Sequence, residues 1–421
     1  MSTTLTPTAP APAPSRDRRA ASLGTLFFTV FLDLLGFGLV IPFLPGLARG
    51  FGASDFVATL PGSAYSLMQF LFIPIWGRLS DRVGRRPVLL WSIAASAIGM
   101  AVLGFANTLA LLFVARLWSG VATANIAVAQ AYIADVTPPE RRARGMATIG
   151  IAFGLGFILG PAVGGLLARY SVLGHTAGTL PALVAAGLST VNLLLALRTL
   201  PESLPPAARA ARSPRRAIPL DFAAARAAAH TPGVGAAVVV NFLLILWFAG
   251  MEQTFRLFNE DRFGISVAGT GVIFMMVGIT STIVQGGLVG RLARRYGEAA
   301  LIRAGLLIQV VAFALLGASP ALGAASRIAL YTSSVLIAAG NGMTTPTLPA
   351  FASRRAGADT QGLTLGTLQS ASALGRVLGP ATGGLLYSSI GPSAPYFVGS
   401  AGFMVAALIA FARLRDDVRA S

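Results

Sequence analysis

Five side chains stand where an ionisable group is expensive. Asp33 lies about ten residues into a long apolar run, and Arg116 about seven residues into another. Glu252 sits toward the end of a third, with Arg256 four residues on, and Arg376 precedes Pro380 by four in a fourth. A charge at the centre of a hydrocarbon layer costs roughly 2.5 to 3.5 kcal/mol, so such residues are candidates for handling ions or polar solutes. A carboxylate near mid-depth could take up and release a proton, and an arginine beside it would govern how readily it does so. At 1.5 Å per residue, Asp33 and Arg116 in oppositely running helices differ in height by roughly 5 Å, within reach of pairing. They form either a structural ion pair or a proton-coupling pair. Glu252 and Arg256 share one helical face, either as a surface pair or as a second charged set. Arg376 either presents a fixed positive charge to a cavity or binds carbonyls freed by the proline.

Other chemistry is excluded by what the chain lacks. There is no cysteine, and His175 and His230 are the two histidines, so thiolate and histidine-rich metal sites have no ligands. All 32 basic residues are arginine, so the lysine of a Walker-type nucleotide loop is missing. Gly154-x-Gly156 is no dinucleotide loop, because it lies inside an apolar helix with no preceding strand. Neither a resident cofactor nor a metal is expected.

The elements that would position these charges follow from composition. With 55% hydrophobic and 11% charged residues and a mean hydropathy of +0.73, the chain reads as an all-helical membrane protein. Apolar runs fall at 23–47, 58–77, 87–106, 109–134, 145–170 and 178–199, then at 234–258, 266–290, 299–318, 325–352, 362–388 and 394–413, giving twelve spans. The net charge of +17 does not signal nucleic acid, because the arginines concentrate in alternate loops. Arg78, Arg82, Arg85, Arg86, Arg141, Arg142, Arg144, Arg291, Arg294, Arg295, Arg354 and Arg355 fall on one side, against Arg49, Arg169, Arg262 and Arg327 on the other. Both termini are therefore expected in the cytoplasm.

Residues 1–22 read as a disordered tail, 23–199 and 234–413 as two six-helix bundles, 200–233 as a Pro-, Ala- and Arg-rich linker, and 414–421 as a second tail. The bundles echo each other. Gly77-Arg78-Leu79 with Gly84 recurs as Gly290-Arg291-Leu292 with Gly297, and Gly160-Pro161 with Gly164-Gly165 recurs as Gly379-Pro380 with Gly383-Gly384. Repeats in the same order imply a pseudo-twofold axis along the membrane normal.

The segment from Gly77 through Asp81, Gly84, Arg85 and Arg86 resembles the loop signature of the major facilitator superfamily. Asp33 through Pro45, Arg116 to Gly120, and Gly156 through Gly160, Pro161, Gly164 and Gly165 resemble the twelve-span drug:proton antiporters, nearest the tetracycline-efflux branch, over about residues 23 to 413. The resemblance implies the major facilitator fold. It implies further that Asp81 caps a helix of the opposite bundle near Gln361 to Leu363 while Arg85 pairs with Asp135, forming a latch from Gly77, Asp81, Gly84, Arg85, Arg86 and Asp135. The glycines of the fifth span would be the antiporter motif and an interface between the bundles.

Asp33, Arg116 and Glu252 would couple protons to transport. Gln69, Asn125, Gln130, Asn241, Gln253, Asn341, Gln369 and Arg376 are candidates to line a cavity, each polar side chain being as well suited to bridging helices. The chain departs from the tetracycline branch at Gly99 and Gln309, where that branch has carboxylates. The expected activity is proton-coupled export of small amphipathic compounds by a monomer in a bacterial inner membrane, with transport of sugars or other metabolites as the alternative. The expected partners are substrate and lipid, not nucleic acid.

Overall fold

The computed structural model describes residues 16–123, 126–137, 152, 155–156, 159–168, 170, 178–204, 233–356 and 361–415. Helices occupy all twelve expected spans among these residues, the fifth only in part, at 159–167. Asn125, Gly150, Gly154, Arg141, Arg142, Arg144, both histidines and most of the interval between the bundles lie outside the described residues.

Seven helices are each long and apolar enough to cross a membrane: those of spans 2, 3, 6, 7, 8, 9 and 12. Span 1 is an eighth if its two pieces, Leu26–Val40 and Leu44–Gly50, count together across a 43° bend. Pro42 and Pro45, which lack an amide hydrogen, sit at that bend. Span 4 runs as Leu109–Ala122 and Ile126–Val136, broken near Thr123. Spans 10 (Ser326–Arg355) and 11 (Gln361–Ser389) are long enough but fall short in apolarity, because Ser, Thr, Asn, Gln and Gly recur along them. A helix of that composition belongs inside a bundle or beside water rather than against lipid.

Equivalent turns recur in the two bundles. Span 2 (Asp55–Val83) meets span 3 (Arg85–Gly104) through Gly84 at φ 109°, ψ 161°, and span 8, ending at Tyr296, meets span 9 (Glu298–Ala318) through Gly297 at φ 86°, ψ 163°. One residue joins two helices only if it adopts a positive φ, which glycine does without steric cost. The hydroxyls of Ser54 and Ser266 cap spans 2 and 8, accepting from Val57 and Gly269 N–H. Span 8 contains a π-turn at Val284–Leu288, where Gly286 and Gly287 leave the helix unsupported by side chains.

Two boundaries differ from the sequence reading. The first helix starts at Arg16 rather than near 23, its opening turns being rich in Arg and Ala, which favour helix. The interval expected to be linker from residue 200 begins as docked chain: Leu200 and Leu204 are each 2% exposed, and Pro201 accepts a hydrogen bond from the Tyr132 hydroxyl.

The cores show how the bundles meet. One cluster runs continuously from Leu39, Phe43 and Leu47 of the first bundle to Met251, Phe255 and Phe258 of the second, at the arginine-poor end. Toward the arginine-rich end the packing divides: Leu26, Val88, Ile93 and Tyr132 cluster within the first bundle, and Val284, Val289 and Leu301 within the second. Among the described residues, the bundles thus share a core at the arginine-poor end and have separate clusters toward the other.

Candidate functional site

The intramembrane charges gather around a residue that sequence reasoning did not single out, Tyr65 of span 2. Its ring packs against Phe37 at 5.1 Å between centroids and lies under the Arg116 guanidinium at 4.4 Å. Its hydroxyl accepts from Thr123 Oγ1 at 2.7 Å and from Gln69 Nε2 at 3.5 Å. Arg116, only 1% exposed, is therefore held by a ring face, with its Nε and Nη1 facing no hydrogen-bond acceptor among the described residues. The direct ion pair expected between Asp33 and Arg116 is replaced by this cation–π contact, although both charges act on Tyr65. Aromatic quadrupoles hold a weakly hydrated guanidinium well, which is why the arginine can rest there.

Glu252 finds a different partner from the one its spacing suggested. Arg256 turns to Glu260, 2.7 Å away, while Glu252 interacts electrostatically with Arg376 of span 11, which in turn acts on Tyr65. Asp33, Arg116, Glu252 and Arg376 thus converge from spans 1, 4, 7 and 11, two from each bundle.

Of the polar residues expected to line a cavity, Gln69, Asn341 and Arg376 are half-buried and Gln130 and Gln369 exposed. Asn341 accepts from the Thr345 hydroxyl at 3.0 Å. Asn241 is glue between helices, donating to Leu368 O at 3.0 Å and Ser372 Oγ at 2.6 Å. Gln253 is buried against Gly62, whose absent Cβ would lie 2.8 Å from its Cδ.

At the arginine-rich end, Arg85 is 4% exposed and carries a small network. It donates to Asp81 at 2.7 Å, to Asp135 at 3.2 Å and to Ser80 Oγ. Glu202 completes it, accepting from the backbone N–H groups of Arg85 at 2.9 Å and Arg86 at 3.3 Å, which places a carboxylate at the positive end of span 3. Arg86 reaches Leu197 O at 2.8 Å, and Gly77 accepts from the Ser80 hydroxyl at 2.7 Å. A glutamate after the Pro201 turn was the signal available in the sequence for this cap. Among the described contacts, Asp81 pairs with Arg85 on its own bundle, and Gln361 donates to Ser353.

Among the described residues, contacts between the bundles lie at the opposite end. Arg49, after the bend of span 1, donates twice to Asp261 of span 7 at 2.8 Å and once to Asp55 at 2.7 Å, and the Tyr387 hydroxyl donates to Asp261 at 2.6 Å. Thr59 and Ser63 of span 2 donate to Pro380 O and Val377 O of span 11 at 2.9 and 2.7 Å.

Similarity to known proteins agrees with this architecture. A family model, the Major Facilitator Superfamily, matches residues 26–366 and 286–421. The chain belongs to the Major Facilitator Superfamily. Within it, the tetracycline resistance protein, class C, of Escherichia coli is 35% identical over 359 residues, 84% of this chain and 86% of that protein. Major facilitator superfamily domain-containing protein 10 of Homo sapiens is 30% identical, covering 95% of this chain and 94% of that protein. Among solved structures, the human organic anion transporter MFSD10 (TETRAN) superposes with a TM-score of 0.70 at 28% identity, covering 94% of this chain and all of that one. A bacterial homolog of the human lysosomal transporter Spinster, inward-facing and occupied, gives 0.71 at 16% identity and so shares the fold.

The superfamily's duplicated glycine motif divides its work between two faces. Gly156, Gly160 and Gly164 press on Leu34 to Leu39 of span 1 within the first bundle, whereas Gly165 meets Gly271 of span 8 across the bundles, its absent Cβ 3.0 Å from the Gly271 Cα. The second copy repeats this: Gly379 and Gly383 pack on Gly250 of span 7, and Gly384 faces Thr59 across the bundles. The inter-bundle contact is thus made by Gly165, with Pro161 contributing its carbonyl to the Gly271 contact, while the other glycines pack within the first bundle. Gly99 and Gln309 both lie inside their own bundles, with Ser119 and Trp118 filling the space beside Gly99 and Gln309 packed against Gly340.

Proposed function

We propose that this transporter exports small amphipathic compounds in exchange for protons by alternating access, with its arginine-rich face in the cytoplasm of a bacterial inner membrane. The observation that carries the reading is that Asp33, Arg116 and Arg376 act on Tyr65 while Glu252 acts on Arg376, two charges from each bundle. A site shared between the bundles changes its surroundings whenever they rock, which is the condition for coupling an ion to a solute. Asp33 is the proton carrier in this scheme, Arg116 its switching counter-charge, and Glu252 a second carboxylate facing Arg376. Gln69, Asn341, Gln369, Arg376 and the Phe37 ring offer an apolar wall with sparse polar anchors. The protein acts as a monomer among lipids and needs no cofactor beyond the proton. The tetracycline resistance relatives support export of drug-like compounds.

One observation favours a second substrate class. Arg116 meets a ring rather than a carboxylate, and MFSD10, a relative of 28% identity in the solved structure, is an organic anion transporter. An anionic group on the substrate would supply the partner that Arg116 lacks. Proteoliposomes separate the two. Matched neutral, monocationic, dicationic and anionic amphipaths are offered against a proton gradient, and proton release is recorded with each. Neutral, monocationic or anionic compounds should drive proton movement and dicationic ones should not, because the cluster holds as many arginines as carboxylates. Proton movement driven best by dications, or by sugars alone, would overturn the assignment.

A further inference from the structure

The ion pairs at the arginine-poor end have a feature that a simple structural clamp does not need. Arg49 has a carboxylate on each side: Asp55, six residues on in its own bundle, and Asp261 in the other. Asp261 likewise has a partner in each bundle, Arg49 across the interface and Tyr387 within its own. Breaking the cross-bundle pair therefore strands neither charge, since Arg49 keeps Asp55 and Asp261 keeps Tyr387.

We propose that Arg49, Asp55, Asp261 and Tyr387 form an exchangeable external lock, in which Arg49 shifts between a shared and a purely local partner as the outer side closes and opens. The Arg49–Asp261 pair is partly buried, so separating it leaves each charge under-compensated unless another partner is at hand. A local substitute supplies that partner, so the lock holds the outer side shut without trapping it. The surrounding seal is built to part cleanly, from two side-chain-to-carbonyl bonds between spans 2 and 11 and glycine contacts at Gly165–Gly271 and Gly384–Thr59. Arg256 flanks the lock: Glu260 engages it at 2.7 Å, and it acts electrostatically on Asp261 from within the same bundle. The inference rests on the alternating-access reading above and assigns to the two aspartates opposite effects, which a rigid clamp would not give.

The chain has no cysteine, so paired labels can be placed without altering the background. Spin labels at Asn107→Cys and Ser388→Cys report the outer side, and labels at Val83→Cys and Tyr296→Cys the inner side, all four positions being exposed. Asp261→Asn removes the cross-bundle partner and should raise the long-distance outer population by about threefold or more. Asp55→Asn removes the local substitute, leaving Arg49 to Asp261 alone, and should lower that population by a similar factor. Both substitutions keep side-chain volume, and the second serves as the control for mere loosening. Shifts in the same direction, or no shift while two populations are present, would overturn the lock. A single unchanging distance at both faces in the parent protein would overturn alternating access itself, and the lock with it.

Discussion

Asp33 and Arg116 face the same tyrosine without pairing directly, and this decides how substitutions at either position should act. If Asp33 carries the proton, Asp33→Asn should bind substrate yet lose accumulation against a gradient, because a fixed neutral side chain returns no proton. Gradient-driven flux equal to the parent would sink that role. Arg116→Lys keeps a charge but loses the flat guanidinium that rests on Tyr65, so it should reduce coupled transport about tenfold while leaving the protein folded.

Helix ends and crossings carry the next level of specification. Arg85 pairs with Asp135 between the starts and ends of spans 3 and 4, and Glu298 pairs with Arg354 at the equivalent place in spans 9 and 10, with the charges reversed. Gene duplication thus kept the contact while exchanging its polarity. Glu202 adds a cap to span 3 alone, and Glu202→Gln should cost about 0.3 to 1 kcal/mol, seen as a lower thermal midpoint in detergent. A midpoint equal to the parent would show that the cap contributes nothing. The glycine crossing of spans 1 and 5 is less tolerant. A Cβ at Gly160 would lie 2.7 Å from the Gly38 Cα, and backbone cannot step aside, so Gly160→Ala should destabilise by about 1 to 3 kcal/mol. Gly187→Ala, in span 6 with nothing within 4 Å, is the matched control and should be neutral or slightly stabilising.

At the scale of the molecule, the proposed alternating access would make the shared core at the arginine-poor end and the separate clusters at the other end two faces of one equilibrium. Asp81 is 40% exposed, while its partner Arg85 is buried. Should Asp81 reach the second bundle when the inner side closes, Asp81→Asn would favour the form seen here, and the Val83 and Tyr296 labels would show a larger share of long distances. Unchanged distributions would leave Asp81 a local partner of Arg85 and nothing more.

Sequence by itself determined the membrane class, the twelve spans and the duplication, because apolar length, arginine bias and repeated glycines are local properties that survive without coordinates. The resemblance to the superfamily's loop signature also implied that Arg85 pairs with Asp135, and the two lie 3.2 Å apart. Which charges meet inside the membrane was decided only by tertiary structure. Helix spacing put Glu252 beside Arg256, yet rotation of spans 7 and 11 gave Glu252 to Arg376, and the packing of span 2 put Tyr65 where Asp33 was expected to stand against Arg116. The outer lock was illegible for the same reason. Arg49 and Asp261 are 212 residues apart, each an ordinary loop-end charge in its own segment, and only the closure of two bundles against each other makes them partners.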